Sequence, residues 1–162
     1  MLRAILFSLA LTGLAACQSP TRVAMPMAAV ATPVLSLDTA RTQSETLTAL
    51  RSALAKRPLT VFAEIDHAAG AKAAGLDMAP AVVVIFGNPK GGTPLMQAAP
   101  DMALDLPLRM LVRATPDGAR LVWSDMEALA IARGVPAGNP GPATMAGLLQ
   151  SLAQEAAGLS AN

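Results

Sequence analysis

The chain's single histidine, His67, directly follows Asp66, and a stretch Gly87-Asn88-Pro89-Lys90-Gly91-Gly92-Thr93 lies twenty residues further on. These are the residues whose types and spacing could do chemistry. An imidazole beside a carboxylate can act as a general base or switch near neutral pH. A glycine-rich segment between an apolar run and a helix start can turn backbone amides toward an anion. Asp66, His67, Asn88, Gly92 and Thr93 are therefore the candidate ligand-binding set. Each has a plainer use as well: Asp66 and His67 as helix N-terminal groups, the glycine stretch as a tight turn. Gly87 and Gly92 have the spacing of a Walker loop, but Thr93 stands where Lys is required, and Gly-x-Gly-x-x-Gly is absent. No Gly-x-Ser-x-Gly elbow presents a serine, so catalytic residues stay unassigned.

Metal chemistry finds little support. Cys17 is the only cysteine, and no His/Cys/Asp/Glu group has zinc-ligand spacing. Thioethers suit Cu(I), and eight methionines follow Cys17. Met110 and Met145, however, fall on apolar stripes, and Met also fills gaps where aromatics are few. The expectation is no metal and no cofactor.

The N-terminus reads as an export signal. Arg3 precedes Ala4 to Ala16, thirteen residues without a charge, and Leu14-Ala15-Ala16-Cys17 closes the run with the pattern of a lipobox. Thirteen residues fall short of the ~20 that span a bilayer as a helix. Residues 1–16 are thus expected to be a signal peptide, with Cys17 the lipidation site and the membrane a partner through that anchor. Acyl chains contribute about 0.8 kcal/mol per buried CH₂, so two or more hold a protein stably. The expected address is the bacterial envelope, facing the periplasm. Gln18 stands where an Asp would resemble an inner-membrane retention signal, which leans toward the outer membrane.

Composition bounds the rest. The 162 residues suffice for one domain. Lys plus Arg number 12 against 11 Asp plus Glu, and Arg3 leaves with the signal, so 11 face 11. A neutral chain with no basic run and three aromatics beyond the signal (Phe62, Phe86, Trp123) is no nucleic-acid binder. Its core must be built from Leu, Val, Ile, Met and Ala.

The elements that must position the candidates follow from periodicity. Residues 17–40, with Pro20, Pro26 and Pro33, read as a lipidated Cys and flexible tether roughly 25 Å in reach, with Val34 to Leu37 an optional edge strand. A single domain is expected over 41–162. Thr42-Gln43-Ser44-Glu45 has capping-box form and opens a helix that Pro58 stops. Leu59 to Ile65 alternates as a half-buried strand, with Asp66 capping a short helix that ends at Gly75. Ala81 to Phe86 is apolar throughout, as in mid-sheet. Thr93 is expected to cap the next helix, with Pro94 in its first turn. Leu108–Ala114 and Arg120–Ser124 are strands joined by Thr115-Pro116-Asp117-Gly118. Asp125 caps a helix to about Arg133, and Met145, Leu148, Leu149, Leu152 and Ala156 stripe the last one. This order predicts an α+β two-layer sandwich, a sheet of four or five strands with helices packed on it. Asp66 to Pro80 is fifteen residues, long enough for a parallel crossover. Parallel strands would place Asp66-His67 beside the Gly87–Thr93 loop.

Four separated motifs resemble a known family. Ile65-Asp66-His67, Gly75-Leu76-x-Met78-x-Pro80, Phe86-Gly87-Asn88-Pro89-x-x-Gly92-Thr93-Pro94-Leu95-Met96 and Asp105-Leu106-Pro107-Leu108 are similar, in order, to the family called domain of unknown function 302. The resemblance covers about Ser44 to Arg133. It implies a compact α+β domain of bacterial envelope proteins and admits a homodimer. Gly87 stands where some relatives place a Cys, so their thiol or metal chemistry does not transfer.

The reading is a lipid-anchored envelope protein whose domain binds a small ligand or a partner protein without chemistry of its own. The competing class is a small hydrolase or isomerase acting on an anionic substrate through Asp66, His67 and the Gly87–Thr93 loop. A pocket shared by His67 and that loop separates the two.

Overall fold

Residues 34–159 are described by the computed structural model; the signal segment, Cys17 and most of the expected tether lie outside the described residues. The tether ends sooner than expected, because Val34–Thr39 forms β1, an edge strand paired with Gly118–Ser124 (β5). The capping box forms as read: Thr42 Oγ1 accepts from the Glu45 amide, and Glu45 Oε2 accepts from the Thr42 amide at 2.8 Å. The resulting helix α1 (Gln43–Ala55) buries Leu47, Leu50 and Leu54.

The chain continues through β2 (Thr60–Asp66), α2 (His67–Ala73), β3 (Ala81–Gly87) and α3 (Pro89–Ala98), then a 3₁₀ turn Pro100–Leu104. A hairpin of β4 (Leu108–Thr115) and β5 follows, with α4 (Met126–Ala132) and α5 (Gly141–Ala157) at the end. The sheet order is β1-β5-β4-β3-β2, antiparallel throughout. The fold is α+β: a five-stranded antiparallel sheet with five helices against it. Val84, Phe86, Met110, Val112, Leu121 and Trp123 point from the sheet into a core closed by α1 and the stripe Met145, Leu149, Leu152 and Ala156 of α5. That layer carries nearly all the apolar burial.

Two expectations for β2 fail. It is not half-buried: all seven residues are exposed, because it is the outermost strand and a register shift between Val61 and Ala63 breaks its alternation at Phe62. Nor is it parallel to β3. Two turns of α2 lead to Gly75 at φ 75°, and residues 76–80 then run straight into β3. The chain thus re-enters at the edge where it left, pairing Asp66 with Val82 and Thr60 with Gly87.

Candidate functional site

The antiparallel register separates the candidate residues into two groups. Asp66 and His67 sit at one end of the β2–β3 pair, and Asn88, Gly92 and Thr93 at the other. Asp66 does what its side chain does at helix starts: Oδ1 accepts the Ala69 amide at 2.9 Å and caps α2. His67 is exposed and lines no cleft with the other candidates. The juxtaposition expected from a parallel crossover is therefore overturned.

The glycine-rich stretch is not a loop. Asn88, rather than Thr93, is the cap, and Pro89 takes the first helical position of α3. Asn88 Oδ1 accepts the Lys90 amide at 2.9 Å, while the Gly91 and Gly92 amides donate to the Asn88 carbonyl. Pro89 has no N–H. Every early amide of α3 is therefore engaged within the chain, which removes the anion cradle. Asn88 is used at both ends, since Nδ2 also donates to the Pro58 carbonyl at 2.9 Å and ties α3 to the turn before β2. Thr93 is an exposed residue inside α3.

The same end of the sheet does hold a cleft of about 570 Å³, within the range of small-molecule sites. Its walls are Phe62 of β2, Leu95 and Met96 of α3, Leu106 and Pro107 before β4, and Met145 and Leu148 of α5. Gly87 and Gly92 keep its floor low: a Cβ on Gly87 would meet Pro107 and Phe62 at 3.6 and 3.7 Å, and one on Gly92 would meet Leu106 at 3.6 Å. No Asp, Glu, His, Lys or Arg lines it. Three of its four polar side chains are already partnered, the Thr93 hydroxyl being the exception. Asn88 is bonded as above, Asn139 Oδ1 accepts the Gly141 amide at 2.9 Å, and Thr144 Oγ1 donates to the Pro140 carbonyl at 2.8 Å. Such a surface can hold apolar matter and offers no group for proton transfer.

Leu106, Pro107, Met145, Leu148 and Phe62 were missed as site residues: Met145 and Leu148 read as a packing stripe, Leu106 and Pro107 only as part of a family motif, and Phe62 as one face of a strand. Phe62 carried the one available signal, being one of only three Phe and Trp residues beyond the signal segment. Among the described residues no group of three or more His, Cys, Asp or Glu side chains is placed to hold a metal.

Residues 35–154 match the family described as Domain of unknown function DUF302. The chain is also similar to the fluoride-specific ion channel FluC 1 of Brucella suis biovar 1, at 38% identity over 99 residues, or 60% of this chain and 38% of that protein. The fluoride-specific ion channel FluC 2 of Brucella melitensis biotype 1 is 38% identical over the same length and is covered to 36%. The chain thus spans well under half the length of these relatives. A crystal structure of an uncharacterized conserved DUF302 protein from Bacillus stearothermophilus superposes with a TM-score of 0.69 at 17% identity, covering 76% of this chain and 97% of that one. That likeness is one of fold.

Proposed function

The chain belongs to the Domain of unknown function DUF302 family, and from that premise we propose that it is a lipid-anchored envelope protein whose domain binds a small apolar ligand and catalyses nothing. One observation carries the binding reading: the cleft between Phe62, α3 and α5 is walled by apolar side chains, has no titratable group, and has three of its four polar side chains bonded internally. A charged ligand placed there would lose its hydration without recompense. The anchor reading rests on the charge-free run ending at Cys17. Fluoride conduction, named for the Brucella proteins, is not carried over. This chain spans 36–38% of those proteins, and among the described residues no helix is long and apolar enough to cross a membrane.

Binding of N-phenyl-1-naphthylamine, a neutral fluorophore, tests the reading. Emission should rise and shift to the blue on binding. Thr144→Trp, at an exposed position on the cleft wall, and Leu148→Trp should each weaken binding at least about tenfold, whereas His67→Ala leaves it unchanged. Probe binding indifferent to both tryptophans removes the cleft from the account. Turnover of an anionic ester that depends on His67 restores the enzyme.

A further inference from the structure

The hairpin end of the sheet, opposite the apolar cleft, holds a second hollow of about 570 Å³. Asp38 and Thr39 of β1, Arg113 and Thr115 of β4, Asp117 of the turn and Arg120 of β5 line it. Two arginines face two aspartates, so the hollow is neutral as a whole but charged throughout. Half of these groups are committed to the fold. Arg120 grips Asp38 with two prongs at 2.6 and 2.7 Å. Thr39 Oγ1 donates to the Ala157 carbonyl at 3.1 Å and accepts the Arg41 amide at 3.2 Å, which makes β1 a fixed wall.

The other half stand free. Among the described residues the Arg113 guanidinium, the Thr115 hydroxyl and the Asp117 carboxylate have no hydrogen bond or ion pair. Every other arginine there is engaged, with Arg41, Arg51, Arg57, Arg109 and Arg133 each holding a carboxylate or a carbonyl. Arg113 and Thr115 lie two residues apart on one strand, and so share a face. The turn Thr115-Pro116-Asp117-Gly118 brings Asp117 to the same hollow, roughly 10 Å along the hairpin from Arg113 at ~3.4 Å per residue. Arg113 is half-buried and directly opposite Arg120 in register. Like charges so placed are unfavourable, and Asp38 is already held by Arg120. An anion alone would relieve Arg113 but meet Asp117, and a cation alone would meet the reverse.

We propose that this hollow binds a small zwitterion with a carboxylate at one end and an ammonium at the other, of the class of short peptides. The carboxylate takes the planar fork of Arg113, with the Thr115 hydroxyl as a further donor. The ammonium donates to Asp117. Arg113 and Asp117 do not pair with each other, so the ligand must span them, which favours the charge separation of a dipeptide over that of a single α-amino acid. The site is independent of the apolar cleft, because the two lie at opposite ends of β4.

Glycylglycine titrated into the ¹⁵N-labelled full chain tests this. The Gly118 amide and the Arg113 side-chain N–H signals should move saturably. Acetate and ethylammonium, each carrying one of the two charges, should bind at least about tenfold more weakly. Arg113→Gln and Asp117→Asn should each weaken glycylglycine binding by a similar factor. Asp117 is exposed and Asn suits a turn, so that variant should keep the parent's urea midpoint. Arg113→Gln removes a like charge, and its midpoint should be no lower than the parent's. Signals that move no further than equal sodium chloride moves them overturn the proposal. Acetate binding as tightly as glycylglycine overturns it in favour of a plain anion site, and binding that survives Asp117→Asn overturns it as well.

Discussion

Asn88, which lines the cleft, is also a joint between two elements. Its oxygen caps α3 and its amide nitrogen holds the Pro58 carbonyl. Asn88→Ala should destabilise the protein by about 1–2 kcal/mol in urea unfolding. Asn88→Asp, which keeps the cap but loses the donor, should fall between Asn88→Ala and the parent. An Asn88→Ala protein as stable as the parent would show that neither bond holds the fold. Gly91 makes the converse case. It lies inside α3, exposed, and a Cβ there meets nothing within 4 Å. Gly91→Ala should therefore stabilise by about 0.5–1 kcal/mol, read from the same unfolding curves. The two glycines hid the first turn of this helix, which the sequence placed after Thr93, since each lowers helix propensity by about 1 kcal/mol relative to Ala. The Asn88 cap, Pro89 and the burial of Leu95 outweigh them.

The elements most legible in the sequence are those whose signal is local. The Thr42–Glu45 capping box, the Pro116-Asp117-Gly118 turn of the hairpin and the α5 stripe are each written within a few residues. Strand β3 was legible from its apolar run. Val84 at its centre is wholly buried, so Val84→Asp should cost several kcal/mol, about 3–5, and leave little folded protein by near-UV circular dichroism. Gly118 is demanding for a different reason. It has φ 143°, and a Cβ would run into the carbonyl of Thr39 on β1. Gly118→Ala should cost at least about 1–3 kcal/mol and free β1 first, seen as faster amide exchange along Val34–Thr39. The direction of β2 was not legible, because a fifteen-residue connection serves either a crossover or a short helix with a return. The strand-edge site inferred from that crossover failed with it. The cleft was hidden for the same reason, since its walls come from four distant segments and none carries chemistry of its own.

At the scale of the whole molecule, ion pairs stitch the elements together along their seams. Arg51 of α1 holds Glu64 of β2, with Nε to Oε1 at 2.9 Å; Lys56 and Arg57, just past the end of α1, hold Glu155 of α5 at 2.7 and 2.9 Å; and Arg120 of β5 holds Asp38 of β1. Each carboxyl is held below its ordinary value by hydrogen bonds from its cation: Glu64 by Arg51, Glu155 by Lys56 and then Arg57, and Asp38 by Arg120. Glu45 is lowered in the same way by its bonds from Thr42. On unfolding these groups return toward 4.5 for Glu and 3.8 for Asp. The unfolded chain therefore binds protons more readily than the folded one, and stability rises with pH across that window. The contribution is complete above the ordinary carboxylate values and is lost as pH falls through the lowered folded ones. Urea midpoints should be flat above about pH 5.5 and decline progressively below about 4.5. Because the pairs lie at the surface, salt should shrink the decline. Glu155→Gln removes one charge shared by two cations, so its midpoint at pH 7 should lie slightly below the parent's and its acid decline should be shallower. An acid decline of unchanged steepness in Glu155→Gln would show that the α1–α5 seam is held by its apolar contacts alone.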